Sequence, residues 1–459
     1  MDRGLDMKTA HRTPVADLTK GWVSEFQDFL ETRPTHDPSK ELRSLALSHF
    51  QEQGMPHRKM EAWRNTPLTL LEEVGLFSTT SASKRPKSEI SEWVEALEKP
   101  EGDWQRLVFI DGQIDPGLST LSDAESEMEW MAFDAALAEG SQYAPIQERL
   151  GQLADLKTDA LAALNTAYMQ GGVYLRIPAS CQNERPLHLL FVSTGSGSLR
   201  CPRNLVVAES GSQSSVLVEH TVMDEAHDLT NCVTELFLAE NAQLQWTVLE
   251  HASESAIRFS DVHAYQARDS RLSLQLLTLG GRLVRNNVHV ALADTGAEVD
   301  LNGLFLASTG QLVDHHTEIN HAMPQGRSQQ LHKSVLTGNA RGVFRGMINV
   351  SPHAQKTNSS LSNPNLLLSD QARIETQPQL EIYADDVKCS HGSTVGQIDE
   401  EAIFYLQSRG IGRNHAKQIL TRGFINEICD RIPNKNVQKL AYGLTSETLE
   451  SFVNKEETI

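Results

Sequence analysis

Residues 204–210 read NLVVAES, and six runs of the same kind follow: SSVLVEHTV (214–222), VTELFLAE (233–240), LQWTVLEH (244–251), LSLQLLTL (272–279), NNVHVALAD (286–294) and VDLNGLFLA (299–307). Each run is short, rich in β-branched and large apolar residues, and bounded by a polar corner holding a small residue, as expected of strands. The corners recur at Ser212, Ala242, Ser270 and Ala297, almost evenly spaced, and reappear more closely at Ala340, Ala354 and Ala372. A strand-built repeat of that period, with no i, i+4 stripe between the strands, predicts a β-solenoid of the parallel β-helix type. At about 28 residues per coil, residues 172–396 hold about eight coils stacked about 4.8 Å apart. A β-sandwich, whose strands are also short and regularly spaced, is the competing architecture.

Outward from the repeats the pattern changes to helix. Trp22, Phe26, Phe29 and Leu30 fall at i, i+4, i+7 and i+8, and Leu42, Leu45, Ala46, His49 and Phe50 form a second stripe. ETRPTHDPS (31–39) separates the two with two prolines. Ser81–Lys87 reads as a polar, basic loop, Leu107–Ile110 as a short strand and Leu153–Tyr168 as helix. Beyond Gly396, Asp399 can cap a helix with Glu400 and Glu401 in its first turn and Gly410 as its stop. Ala416, Leu420, Phe424, Ile428 and Ile432 then fall at strict i, i+4 spacing before Pro433. Such a stripe packs on its own domain or docks a partner. The expected division is a mainly helical region 1–171, a β-helix 172–396 and a helical region 397–459.

Composition narrows the classes of function. Sixty acidic against 41 basic residues give a net charge of −19, which argues against a phosphate-backbone binder. The longest apolar run, Leu187–Val192 with His188 inside it, is far below the roughly 20 residues needed to span a bilayer. The segment Met1–Lys20 holds no apolar core of signal-peptide type. Five scattered cysteines with no CxxC pair indicate reduced thiols and a cytoplasmic location. GSGSLR (195–200) lacks the third glycine of a dinucleotide loop and no GxxxxGK[ST] exists, so this chain itself is expected to bind no nucleotide.

The stretch QLEIYADDVKCSHGSTVG (379–396) carries the sharpest chemistry. On a strand, Cys389 and His391 share a face, and thiolate with imidazole suits zinc, copper or iron–sulfur ligation. The competing reading is a buried, space-filling cysteine. Polar neighbours Asp385, Asp386, Lys388, Ser390 and Gly392 favour a ligand role. DHHTEINH (314–321), followed by His332, is a second candidate, in which Asp314 and His316 share one face and His315 takes the other; its spacing matches no zinc motif, and a polar solenoid face is the reading it favours. Asp385–Asp386 could suit a solenoid carbohydrate enzyme, but neighbours on a strand diverge.

The near-continuous run from about Asn302 to Ile411, including GLFLASTGQLVDHHTEINH, GRSQQLHKSVLTGNARGVFRG and NPNLLLSDQARIETQPQLEIYADDVKCSHGSTVGQIDEEAIFYLQSRGI, resembles the SufD branch of the SufB/SufD family. GMPHRKMEAWRNTPLTLL (54–71) resembles its N-terminal region more weakly. The resemblance implies a right-handed parallel β-helix between helical regions, in a non-catalytic subunit of an ATP-dependent assembly complex. It implies pairing with a SufB-type subunit through the β-helix and docking of the SufC-type ABC ATPase by the C-terminal region, where Leu420 and Phe424 are candidates. It further implies that His391 helps hold a nascent iron–sulfur cluster shared with the SufB-type partner, with Cys389 beside it. SufB proteins carry a cysteine at the position of Asn363 and a glutamate at that of Gly392, so this chain resembles the partner rather than a self-sufficient scaffold. The alternative is a purely structural partner that stabilises SufB and recruits SufC without ligating a cluster.

Overall fold

Six successive turns that lead into the first sheet are made the same way. A residue with positive φ is followed by a small buried one: Gly211–Ser212, Asn241–Ala242, Asp269–Ser270, Gly296–Ala297, Gln325–Gly326 and Lys356–Thr357. The left-handed backbone reverses the chain within one residue, a conformation that Gly, Asn and Asp reach most cheaply. The next side chain then points into the corner of the coil, where only a small group fits; Ser212, Ala242, Ser270 and Ala297 are all buried. Ala340 and Ala372 mark the opposite corner, directly before the strands of the second sheet. The repeat is therefore two strands per coil, and the closer spacing beyond Ala340 arises because Ala354 belongs to the other edge.

A computed structural model describes residues 14–33, 37–74, 78–79, 85–120, 127–138, 144–183, 185–195, 197–223, 228–251 and 253–456. Residues 81–84 of the expected loop at Ser81–Lys87 lie outside the described residues. The chain forms a mainly β solenoid of about seven coils between N- and C-terminal helices. One sheet stacks the strands Leu187–Ser193, Gln213–Val222, Gln243–His251, Arg271–Thr278, Glu298–Ala307, Arg327–Leu336, Asn358–Leu367 and Lys388–Gly396. The other stacks Arg203–Ala208, Leu229–Leu238, Ile257–Gln266, Leu283–Leu292, Leu312–His321, Arg341–Val350 and Arg373–Ile382. These strands pair in parallel and in register, which rules out the sandwich. The region before Gly172 also contributes to the sheets: Gln105–Ile110 pairs in parallel with Leu187–Ser193, and Glu129–Ala132 pairs antiparallel with Val173–Ile177.

Register makes interior side chains stack into columns. One column runs Trp246, Leu274, Leu301, Gln330, Leu361, His391; a second runs Leu244, Leu272, Val299, Ser328, Ser359, Cys389. All members before the last coil are buried, and both columns become more polar toward the C-terminal end. Gly303 is required where it stands, because a Cβ there would meet His332 Nδ1 at 2.3 Å.

Helices cover both faces. Val15–Glu31 buries Leu18, Trp22, Phe26 and Phe29. Lys40–Gln53 buries Arg43, Ala46, Leu47 and Phe50, while Leu45 of the expected stripe is exposed. Arg43 is held inside by Asp37 at 3.0 Å and by the carbonyl of Met169 at 2.8 Å. Within Leu153–Tyr168 only Ala160–Tyr168 is helical, because Asp159 accepts from the Leu161 and Ala162 amides and caps it there. This layer meets Phe259, Leu283 and Leu312 of the second sheet. The helices Arg413–Cys429 and Lys435–Glu456 pack on Leu217, Leu249, Leu277, Leu304 and Leu331 of the first. In Arg413–Cys429 the buried residues are Ala416, Thr421, Ile425, Ile428 and Cys429, with Leu420 and Phe424 half-buried. A strict i, i+4 series drifts about 40° per step around a helix, so it cannot stay on one face. No helix among the described residues is long and apolar enough to cross a membrane.

The solenoid interior holds neutral histidines. Burial pushes His220 down to about 3 and His315 and His321 down to about 4, and pushes His332 well below the ordinary value. On unfolding each returns to about 6.5 and takes up a proton. The stability they carry is thus complete above that pH and is lost as pH falls toward the folded values. Glu250 and Asp159, raised by burial to about 7 and about 6, release protons on unfolding and oppose this. His316, lowered by burial, adds to the uptake and His289, raised beside Glu318 and Asp261, to the release, and five groups against three leave net proton uptake. The melting temperature should therefore fall between about pH 7 and about pH 5, and His332→Leu should flatten that slope. A slope unchanged by the substitution would show that His332 is not buried neutral.

Candidate functional site

Arg373–Ile382 and Lys388–Gly396 are the last strands of their sheets, each paired on one side only. Within this chain no described strand covers their outer edges, so the coil presents open backbone donors and acceptors. Its side chains are exposed to match: Tyr383 is 61% and Val395 49% exposed.

The register fixes where the candidate residues lie. Cys389 stands opposite Ser359, His391 opposite Leu361 and Ser393 opposite Asn363, all three partners being buried interior positions. Both Cys389 and His391 therefore occupy core-facing positions of a coil with nothing stacked above it. His391 is exposed for that reason, and Cys389 is half-buried against Phe344, Ile348 and Leu361. Burial raises the Cys389 thiol, so it is protonated at neutral pH until a metal or cation displaces the proton. Asp385 and Asp386 lie not on a strand but in the turn between the last two, where the Asp386 amide donates to Gln355 Oε1 at 2.9 Å. They do not converge on one point.

Beneath this coil is a buried polar knot centred on Asn363. Its Oδ1 accepts from Thr376 Oγ1 at 2.7 Å, from Asn365 Nδ2 at 2.9 Å and from Ser393 Oγ at 3.2 Å. Its Nδ2 donates to the His332 carbonyl at 3.0 Å, and Asn365 Nδ2 also reaches the Thr394 carbonyl at 3.0 Å. The knot ties the last coil to the one below through side chains as well as ladders.

The histidine-rich strand Leu312–His321 divides by face. His316 lies outward, its Nε2 2.9 Å from Asp314 Oδ1, and Asp314 also receives Arg285 Nη1 at 2.7 Å. His315 and His321 are interior, bonded to Thr278 Oγ1 at 3.1 Å and Ser328 Oγ at 2.9 Å. His332 is also interior, against Phe344, with no hydrogen bond to either ring nitrogen. A candidate that sequence reasoning missed is the group Asp261, His263 and His289 on the second sheet. Its signal was spacing: His263, His289 and Glu318 follow one another at intervals of a single coil.

On the C-terminal helices, Phe424 is tied to the solenoid: Lys333 Nζ lies 4.1 Å from its ring centroid and donates to its carbonyl at 2.9 Å. Lys333 also pairs with Glu427. Among the described residues, Phe404 and Tyr405 of the helix Glu400–Ser408 and Ile419 of Arg413–Cys429 are exposed large apolar side chains, at 73%, 58% and 38%.

Asn363→Ala should cost about 1–3 kcal/mol, the range for stranding buried hydrogen-bond partners. Faster hydrogen exchange confined to residues 388–396 would report it, and unchanged exchange there would refute the role of the knot.

Over residues 191–424 the chain matches the family described as SUF system FeS cluster assembly, SufBD core domain. It is 32% identical to the iron–sulfur cluster assembly SufBD family protein slr0076 of Synechocystis sp., over 84% of this chain and 85% of that protein. It is 30% identical to the iron–sulfur cluster assembly protein SufD of Escherichia coli, over 86% of this chain and 90% of that protein. Its similarity to the chloroplastic protein ABCI7 of Arabidopsis thaliana is 27% over 91% and 88% of the two chains. The solenoid, its flanking helices and these matches across most of the sequence lead to one conclusion: the chain belongs to the SufB/SufD family of SUF-system iron–sulfur cluster assembly proteins.

Proposed function

We propose that this chain is the SufD-type subunit of a SufBCD complex, a cytoplasmic scaffold on which iron–sulfur clusters are built. It is non-catalytic, and the nascent cluster is its cargo. The observation that carries the reading is His391, an exposed imidazole at a core-facing position of a coil whose edges are both unpaired. An open coil of this kind suits edge-to-edge addition of a second solenoid, here the SufB-type partner. His391 would then face the interface and supply one imidazole to the shared cluster, with Cys389 as an adjacent thiol. Imidazole ligation of a cluster has precedent in Rieske centres. A mixed ligand set divided between two chains also suits release, because movement of either subunit opens the site.

His391→Ala, assembled with SufB and SufC partners under anaerobic conditions, should give a complex of normal composition with a several-fold lower cluster yield by absorbance. An unchanged yield would overturn the ligand role and leave a purely structural partner that stabilises SufB and recruits SufC.

The C-terminal helical region is assigned to the SufC-type ATPase. Leu420 and Phe424 lie on the helix Arg413–Cys429, but Phe424 is engaged by Lys333, so truncating it also loosens the helix from the solenoid. Exposed Phe404 and Tyr405 extend the surface without that complication. A Phe404→Ser/Tyr405→Ser double variant should lose SufC on co-purification while keeping its melting temperature. Full retention of SufC would remove this face from the docking surface.

A further inference from the structure

The second sheet carries a site that shares no residue with the last coil. Parallel register stacks His263 on His289 and His289 on Glu318. Asp261, two residues before His263, lies on the same face of its strand. The two imidazole rings are stacked, with centroids 4.9 Å apart and planes 9° from parallel. Asp261 Oδ2 is 3.1 Å from His263 Nε2, and Asp261 Oδ1 is 3.7 Å from His289 Nε2. Glu318 Oε2 lies 3.4 Å from the other nitrogen of His289, Nδ1. One donor atom from each of Asp261, His263 and His289 falls within 4.8 Å of the other two.

Asp261 and His263 are only 5% and 7% exposed, and the Asp261 carboxylate is flanked by His263 and by the carboxyl of Asp159 without a well-aligned hydrogen bond to either oxygen. Two stacked imidazoles cannot both carry a proton cheaply at that separation. A metal ion at this point would balance the buried carboxyls and take both imidazoles as neutral ligands. Donors held about 2.0–2.2 Å from one ion sit about 3.0–3.5 Å from each other in tetrahedral or octahedral geometry, close to the two spacings observed. With His289 bound through Nε2, its Nδ1–H points to Glu318, the outer carboxylate that commonly fixes the tautomer of a metal-ligating histidine.

We propose that Asp261, His263 and His289 form a binding site for a divalent first-row transition-metal ion, oriented by Glu318. Two imidazoles and one carboxylate, with no thiolate, select an ion of the Zn²⁺, Fe²⁺ or Mn²⁺ class. The site opens on a cavity of about 530 Å³ between the sheet and the N-terminal layer, lined by Trp63, Asp159, His289 and Glu318 among others. His289 is 40% exposed, which gives an ion a way in and leaves coordination positions free. Asp159 caps the helix Ala160–Tyr168, so a bound ion would anchor two coils beside the start of that helix.

The test uses the full-length protein stripped with a chelator, with Cys389→Ser/His391→Ala as the background so that the last coil cannot contribute ligands. Zn²⁺ is titrated calorimetrically and Co²⁺ by visible absorption. One equivalent should bind, the cobalt spectrum should lack thiolate charge transfer, and the melting temperature should rise with added Zn²⁺. His289→Ala, a change at a half-exposed position, should weaken binding by about tenfold or more while leaving the fold intact by circular dichroism. Absence of stoichiometric binding in the background protein would overturn the site. So would unchanged affinity in folded His289→Ala.

Discussion

Parallel, in-register stacking of one coil on the next governs this molecule from its core to its open last coil. Every interior position is repeated about 4.8 Å above itself, so each column must be filled coil by coil. The columns that begin at Trp246 and Leu244 satisfy this with apolar residues for three coils and then with Gln330 and Ser328. Corner residues obey the same logic: a left-handed residue and then a small one, at six successive returns to the first sheet from Gly211 to Lys356. Helices of both terminal regions seal the outer faces, leaving the final coil uncovered along its strand edges.

A stack of this kind has to end, and the end differs chemically from the middle. His391 and Cys389 occupy positions that would be core in any other coil, so they face a lumen that no further coil closes. This leaves the inner face of an ordinary strand open without strain or a loop. The Asn363 knot holds that edge in place while keeping the polar interior hydrogen-bonded. The centre of that knot is a structural amide, Asn363.

Stacking also brings together residues that the chain keeps a coil apart. Asp261, His263, His289 and Glu318 meet on one outer face because the period returns each strand to the same place. The buried histidines of the interior arise in the same way: His315 and His332 come from neighbouring coils on opposite sheets, their rings 6.3 Å apart.

Much of this is readable without coordinates. The recurrence of corners from Ser212 to Ala297 identifies the solenoid, and the two-residue separation of Cys389 and His391 puts them on one face. These features depend on local backbone geometry, which repeats along the chain. The C-terminal stripe misplaces Leu420 and Phe424, because a four-residue step drifts around the helix while the sheet surface it meets does not. A polar solenoid face is the natural expectation for His315, His321 and His332, yet all three lie inside. Which face of a strand is interior, and which residue one coil away becomes its neighbour, depend on coil lengths that vary from turn to turn. Local pattern thus dictates that the chain coils, where it turns and which residues could ligate. That His391 tops an interior column and that Asp261 meets His289 emerge only on folding, because inter-coil register is a long-range property that no local pattern encodes.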